Sequence, residues 1–368
     1  MAETKLEVGQ EVRPRSLGLG QRIPVRRVIQ LVLFVLIVIG VSIGSYKTLT
    51  LKQGGINAAG WRDLVVFGIS LGAVYALIAL GYTLVYGILL MINFAHGEVF
   101  MAGAYGSFFV ARVFDRNGFL NSNPVAAIAI LLLVAMAVST TVAVLLERIA
   151  YRPLRNAPRL VPLITAIGAS LFLQNTFRGL FGSATRGYAK PTLLRGTWRI
   201  LGVPVLRSEA LVIITAIVAM VVLTLFVAKT TTGKSMRAVA EDKEIASLMG
   251  INVDRVIVTT FAIGGILAGI AGVLFALIFS QVSFFMGFLP GIKAFTAAVL
   301  GGIGSIAGAA IGGLLLGLME SVAPFLLLKG AHVPSPNQLK DAVAFLILVL
   351  VLIFRPGGIL GTGEPEKL

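Results

Sequence analysis

The feature that most constrains this chain is the recurrence of long apolar runs. Residues 124–146 contain no Asp, Glu, Lys or Arg, and 209–229 carry charge only at their two ends. About 20 apolar residues cross the hydrocarbon core of a bilayer as one helix. Runs of that kind fall at 28–44, 62–83, 94–114, 124–146, 160–182, 209–229, 255–280, 305–328 and 339–354. Two segments are short and glycine-interrupted, 84–93 and 291–303. Backbone in lipid must satisfy its own hydrogen bonds, so the runs are read as helices and the interrupted pieces as elements lining a cavity. The predicted fold is an all-α polytopic membrane protein with about ten transmembrane helices, counting 291–303 as a short crossing and other segments as broken.

Composition supports this reading. Only 13% of residues are charged and 57% are hydrophobic, against about 25% charged in a soluble domain, and mean hydropathy is +0.95. The net charge of +15 reads as basic loops facing anionic lipid, not as a nucleic-acid surface. There is no Cys, and the two His are His96 and His332. Disulfides and Cys/His metal clusters are thereby excluded. No Ser/His/Asp set or pair of enzymatic carboxylates stands out, so neither catalysis nor a cofactor is expected. Gly233-Lys234-Ser235 imitates the end of a P-loop, but Ala228 replaces the first glycine and a membrane helix precedes it where a strand belongs. The Gly302–Ala307 stretch imitates a dinucleotide fingerprint and likewise lacks its βαβ context.

An even number of crossings places both termini on one side. Arg13, Arg15, Arg22, Arg26 and Arg27 before the first span, and Arg148, Arg152, Arg155 and Arg159 at 147–160, put those segments in the cytoplasm. Then 230–254 is inside, while 115–123 and 183–208 are outside. Residues 1–27 form a basic cytoplasmic extension, 28–354 the membrane domain and 355–368 a cytoplasmic tail. The first span ends in Ser45-Tyr46-Lys47 without a cleavage signature and is read as retained. Glycines at every fourth position, Gly304/Gly308/Gly312, Gly313/Gly317 and Gly265/Gly269, predict closely packed helices. The layout of 69–106 echoes that of 264–302: a glycine-bearing span, a break, then a small-residue helix.

Glu98 and Glu320 are the carboxylates placed well inside apolar runs, and such groups are functional candidates by default. Asn93 and His96 join Glu98 in "MINFAHGE", where three-residue spacing puts Asn93 and His96 on one helical face and Glu98 roughly opposite His96. Asn93, His96, Glu98 and Glu320 are the candidate lining of a translocation path. The other candidate site is the loop after the 209–229 span. Ser235–Gly250 reads as one short helix whose charged face carries Arg237, Glu241, Asp242 and Glu244, with Gly250 in the terminating position. An exposed helix between two spans is a handle for a partner protein.

Glu244, Ala246 and Gly250 in E-x-A-x-x-x-G resemble the EAA loop of ABC-importer permeases; Ile245 replaces the family's first Ala and no Leu-Pro follows. "MINFAHGEVFMAGAYGSFF", "GKSMRAVAEDKEIASLMGIN", "KAFTAAVLGGIGSIAGAAIGG" and "LIFRPGGILG" together resemble the LivH-type permeases of branched-chain amino acid importers. The resemblance implies a type II-like ABC importer permease in a bacterial inner membrane, with Arg237, Glu241, Asp242, Glu244, Ala246 and Gly250 in the loop that couples to the ATPase. It also implies a second, LivM-type permease, two ATPase subunits and a periplasmic binding protein as partners, and leucine, isoleucine or valine as substrate. A urea or short-amide permease is the alternative within that class, and an ion-driven secondary transporter the alternative outside it.

Overall fold

The computed structural model describes residues 25–51, 55–155, 157–158, 160–200, 202–331, 333–355 and 357–360. Nearly all of the expected N-terminal extension, together with Arg159, His332 and 361–368 of the expected tail, lies outside the described residues.

The described chain forms two bodies, one ending at Ser42 and the other running from Ile43 onward. The first holds the front of helix α1, Val25–Leu49. The second is built on α2 (Ala58–Leu89), α3 (His96–Arg116), α4 (Phe119–Ser122), α5 (Pro124–Leu146), α6 (Leu160–Phe181) and α7 (Arg207–Lys229). It continues with α8 (Thr231–Glu241), α9 (Lys243–Leu248), α10 (Val253–Phe279), α11 (Phe288–Gly301), α12 (Ile306–Leu328) and α13 (Lys340–Phe354). Eight helices are long and apolar enough to cross a membrane among the described residues, and α11 is a shorter apolar one. With α3, all ten expected segments are helical.

Local sequence sets where several helices start. Side chains of Asn57, Thr230, Asp242, Asn252 and Ser305 each accept a hydrogen bond from a free first-turn N–H, and Pro124 opens α5. These are the residues that satisfy the orphan donors of a helix start.

The bundle has two ends. At one, β2 (Thr197–Ile200) pairs antiparallel with β3 (Val203–Leu206), and β1 (Arg186–Gly187) with β4 (Gln281–Val282); the Thr192 N–H also reaches Asn121 Oδ1 at 2.9 Å. At the other end lie α8, α9 and the 147–155 segment, where Arg152 pairs with Asp254. Thus 115–123 and 183–208 share one end and 147–155 and 230–254 the other, with α7 spanning between.

Two halves of the body repeat in inverted order. Helix α2 runs toward the α9 end, the chain breaks, and α3 restarts within the bundle and leads to α5. Helix α10 runs toward the hairpin end, the chain breaks, and α11 restarts within the bundle and leads to α12. The first long helix of each half packs on the last of the other, α2 on α12 and α10 on α5. Both breaks begin with the same left-handed residue geometry, Leu90 and Ser280 at φ 55°, ψ 30°. The weak echo between 69–106 and 264–302 therefore has a structural counterpart.

Glycines make these contacts possible. A methyl on Gly317 would lie 2.2 Å from the Gly72 nitrogen, and one on Gly313 2.4 Å from Ala76 Cα. One on Gly269 would lie 2.6 Å from the Ala135 carbonyl oxygen, where α10 meets α5. Gly304 departs from the expected ridge: it sits in the turn before α12 at φ 95°, with open space around it.

Two boundaries differ from expectation. Residues 84–89 continue α2, because one interior glycine, Gly87, costs only about 1 kcal/mol in a helix that is otherwise well packed. The interruptions are instead 90–95 and 280–287. The expected tail also begins as ordered structure, since the Ile359 and Leu360 N–H groups donate to the Leu300 and Gly301 carbonyls, both at 2.9 Å.

Candidate functional site

The centre of the molecule is where α3 and α11 begin. Their first turns touch through glycine: a methyl on Gly97 would lie 2.4 Å from the Gly287 carbonyl oxygen and 3.1 Å from Gly291 Cα. Two helix N-termini therefore meet inside an apolar bundle, each turning the positive end of its dipole toward the other. Helix N-termini beside a break within the bundle are where membrane transporters hold polar groups.

Asn93, His96 and Glu98 all lie at this place, but they serve three different contacts. Asn93 is not on the helical face shared with His96; it precedes α3, in the break, where its Oδ1 accepts from the Tyr151 hydroxyl at 2.6 Å. His96 opens α3. Its ring lies edge-on to Tyr82, centroids 4.9 Å apart, and fills the notch left by Gly81, on which a methyl would come within 2.3 Å of Nε2. Glu98, fully buried, accepts from Gln174 Nε2 at 2.7 Å and Ser170 Oγ at 3.2 Å, both on α6. Tyr82 Oη, His96 Nε2 and Glu98 Oε2 are buried without a hydrogen-bond partner among the described residues. An apolar cavity of about 270 Å³ adjoins Ser170, lined by Phe94, Ile167, Leu171, Phe288 and Ile292.

Glu320 stands apart, in a second polar cluster. It accepts from the Lys293 ammonium at 2.7 Å and from the Tyr75 hydroxyl at 2.9 Å, while Lys293 also pairs with Asp341 at the start of α13. Lys293, Ser170 and Gln174 are partners that sequence reading missed. The signal was present for Lys293, because a lysine inside an apolar segment is as expensive as a carboxylate. It was absent for Ser170 and Gln174, which become notable only once Glu98 is seen beside them.

The 230–254 loop is not one helix over Ser235–Gly250. Asp242 leaves helical conformation and its carboxylate caps a new helix, accepting from Glu244 N at 2.8 Å and Ile245 N at 2.9 Å. Side-chain capping competes with helix continuation at an Asp, and here the cap wins. Arg237 folds back, donating to the Val227 carbonyl at 2.7 Å. Glu241 and Glu244 remain exposed and Ala246 is buried. Gly250 stops α9 at φ 82° as expected: its N–H donates to the Ser247 carbonyl and Ile251 N–H to Ala246, the pair of bonds that ends a helix in a left-handed residue. What sequence reading did not foresee is the exposed apolar face. Ile245, Leu248 and Met249 are 61%, 87% and 78% exposed, a patch that belongs to an interface more often than to a free surface.

A bundle of apolar helices arranged as inverted halves, with two helix N-termini meeting inside it, defines a multi-pass membrane transport protein. Residues 64–352 match the family model described as the branched-chain amino acid transport system permease component, and the chain belongs to that family. It is 45% identical over 308 residues to the high-affinity branched-chain amino acid transport system permease protein LivH of Salmonella typhimurium, covering 82% of this chain and 96% of that one. LivH of Escherichia coli K12 is 44% identical over 306 residues, with the same coverage. BraD of Pseudomonas aeruginosa, named for the same transport system, is 46% identical over 312 residues, covering 83% of this chain and 97% of BraD.

Proposed function

We propose that this chain is the permease subunit of a bacterial inner-membrane ABC importer that carries leucine, isoleucine or valine inward by alternating access. It works beside a second, LivM-type permease, two ATPase subunits that hydrolyse the ATP, and a periplasmic binding protein. The chain itself carries out no hydrolysis. The α9 end faces the cytoplasm, with both termini and the basic 1–27 extension on that side, and 183–208 faces outward.

The observation that carries the reading is the meeting of the α3 and α11 N-termini beside Glu98 and an apolar cavity, in a chain whose relatives bear that transport name along almost their whole length. A zwitterion suits such a place. Its carboxylate can be met by helix N-termini and its ammonium by Glu98 as the path opens, and a branched apolar side chain suits the walls of the cavity. Asn93 and His96 shape the break beside it. Glu320 supports the path from its cluster with Lys293. The exposed Ile245, Leu248 and Met249, flanked by Glu241 and Glu244, supply what a docking helix needs: an apolar centre with a charged rim. Arg237 and Asp242 hold that helix in place, and Ala246 and Gly250 let it pack and end.

The test is uptake of labelled leucine into proteoliposomes holding the full complex, fed by its binding protein. ATP-dependent uptake, with isoleucine and valine competing, is expected. Competition by urea or a short amide instead overturns the substrate; uptake that ignores ATP and collapses with an ionophore overturns the transporter class.

A further inference from the structure

Side-chain contacts at either end of one helical turn join the α9 loop to the 90–95 break. Asp254 stands in the first turn of α10, two residues beyond the loop's last capping residue, Asn252. The Arg155 guanidinium pairs with Asp254 through one nitrogen and with Glu147 through the other, and Arg152 reaches Asp254 at 2.9 Å. Lys243 stands at the head of α9, where partial desolvation and the nearby Arg155 charge hold its ammonium below the usual pKa. Glu147 opens a single π-helical turn, Glu147–Tyr151. Single turns of this kind are frequent at functional sites, and here Tyr151, at its end, is buried with its hydroxyl on Asn93 Oδ1 at 2.6 Å. The Asn93 carbonyl in turn accepts from His96 N–H at 3.0 Å.

The two bonds of Arg155 differ in strength for a physical reason. Glu147 is fully buried, so parting it from Arg155 strands a charge in low dielectric. Asp254 is 55% exposed, and water can replace its partners at little cost. Arg155, Glu147 and the π-turn therefore move as one piece, while the contact to Asp254 can break and reform.

We propose that Asp254, Arg155 and Tyr151 are positioning residues that pass displacement of the α9 loop to the 90–95 break, with the Arg155–Asp254 contact as the element that opens and closes. The proposal rests on the reading of 230–254 as the ATPase-facing loop.

The experiment compares wild type, Tyr151→Phe, Asp254→Asn, the double variant and Asp254→Glu in the full complex. It measures ATPase co-purification and leucine taken up per ATP hydrolysed. Each single variant retains its ATPase but loses roughly fivefold or more in uptake per ATP, the scale of a typical coupling energy. The double variant is no worse than the poorer single one, and Asp254→Glu restores most of the loss. Full coupling in Tyr151→Phe overturns the proposal, as does a double variant whose losses multiply, since independent sites add in free energy. Loss of the ATPase from Asp254→Asn alone also overturns it, by making Asp254 part of the docking surface. A wild-type complex that never retains an ATPase removes the underlying reading of the loop together with this inference, a result distinct from the other three.

Discussion

The Lys293 ammonium lies 2.7 Å from the Glu320 carboxylate, and both side chains are almost wholly buried, at 5% and 2% exposure. Neither has water to fall back on, so each makes the other tolerable. Lys293→Met leaves the Glu320 charge unpaired in the apolar interior and costs about 3–5 kcal/mol, the usual effect of removing one member of a buried pair. Lys293→Met with Glu320→Gln removes both charges and recovers much of that loss. Thermal unfolding of the purified protein in detergent measures this; equal destabilisation by the single and double changes would refute the pairing as the cause.

Gly81 exists to admit the His96 ring. A methyl at that position comes within 2.3 Å of Nε2, and overpacking of this kind costs about 1–3 kcal/mol. Gly81→Ala therefore lowers unfolding temperature and expression, and adding His96→Ala restores both. If the double variant is as unstable as the two losses combined, the ring is not what the glycine accommodates.

A methyl on Gly250 would meet only open space, so steric contact is not its constraint; its φ of 82° is. Forcing an L-residue into that region costs about 1–2 kcal/mol, more for a β-branched one. Gly250→Val is expected to leave the bundle intact while shifting α9, so that ATPase co-purification falls with little change in unfolding temperature. Gly250→Asn, which tolerates the left-handed region, retains most of the association. Normal association of the Val variant would make the α9 ending irrelevant to docking.

The chain has no cysteine, which gives single-cysteine labelling a clean background. Ser247 and Thr197 are both exposed and lie at opposite ends of the bundle, separated by α7. Ser247→Cys is expected to react with an impermeant maleimide only from the cytoplasmic side, and Thr197→Cys only from outside. Reaction of both from the same side rules out the orientation.

Much of the architecture needed no tertiary information. The continuous apolar runs demand helices because a run of about 20 residues in lipid can bond its own backbone only as a helix, and the capping residues Asn57, Asp242 and Asn252 act within three positions of themselves. Gly250 could be read as a helix end for the same reason. The candidate site was legible only as an inventory. Asn93, His96 and Glu98 sit within six residues of each other, yet one meets Tyr151, one Gly81 and one Gln174, because the chain leaves α2 at Leu90 and restarts as a helix at His96. Spacing rules assume a continuous helix and fail at a break. The Tyr75–Glu320 contact joins residues 245 positions apart, and no local preference encodes such a partner. What only the folded structure decided is which buried charge meets which, since a carboxylate in an apolar interior takes whatever donor the packing of distant helices brings to it.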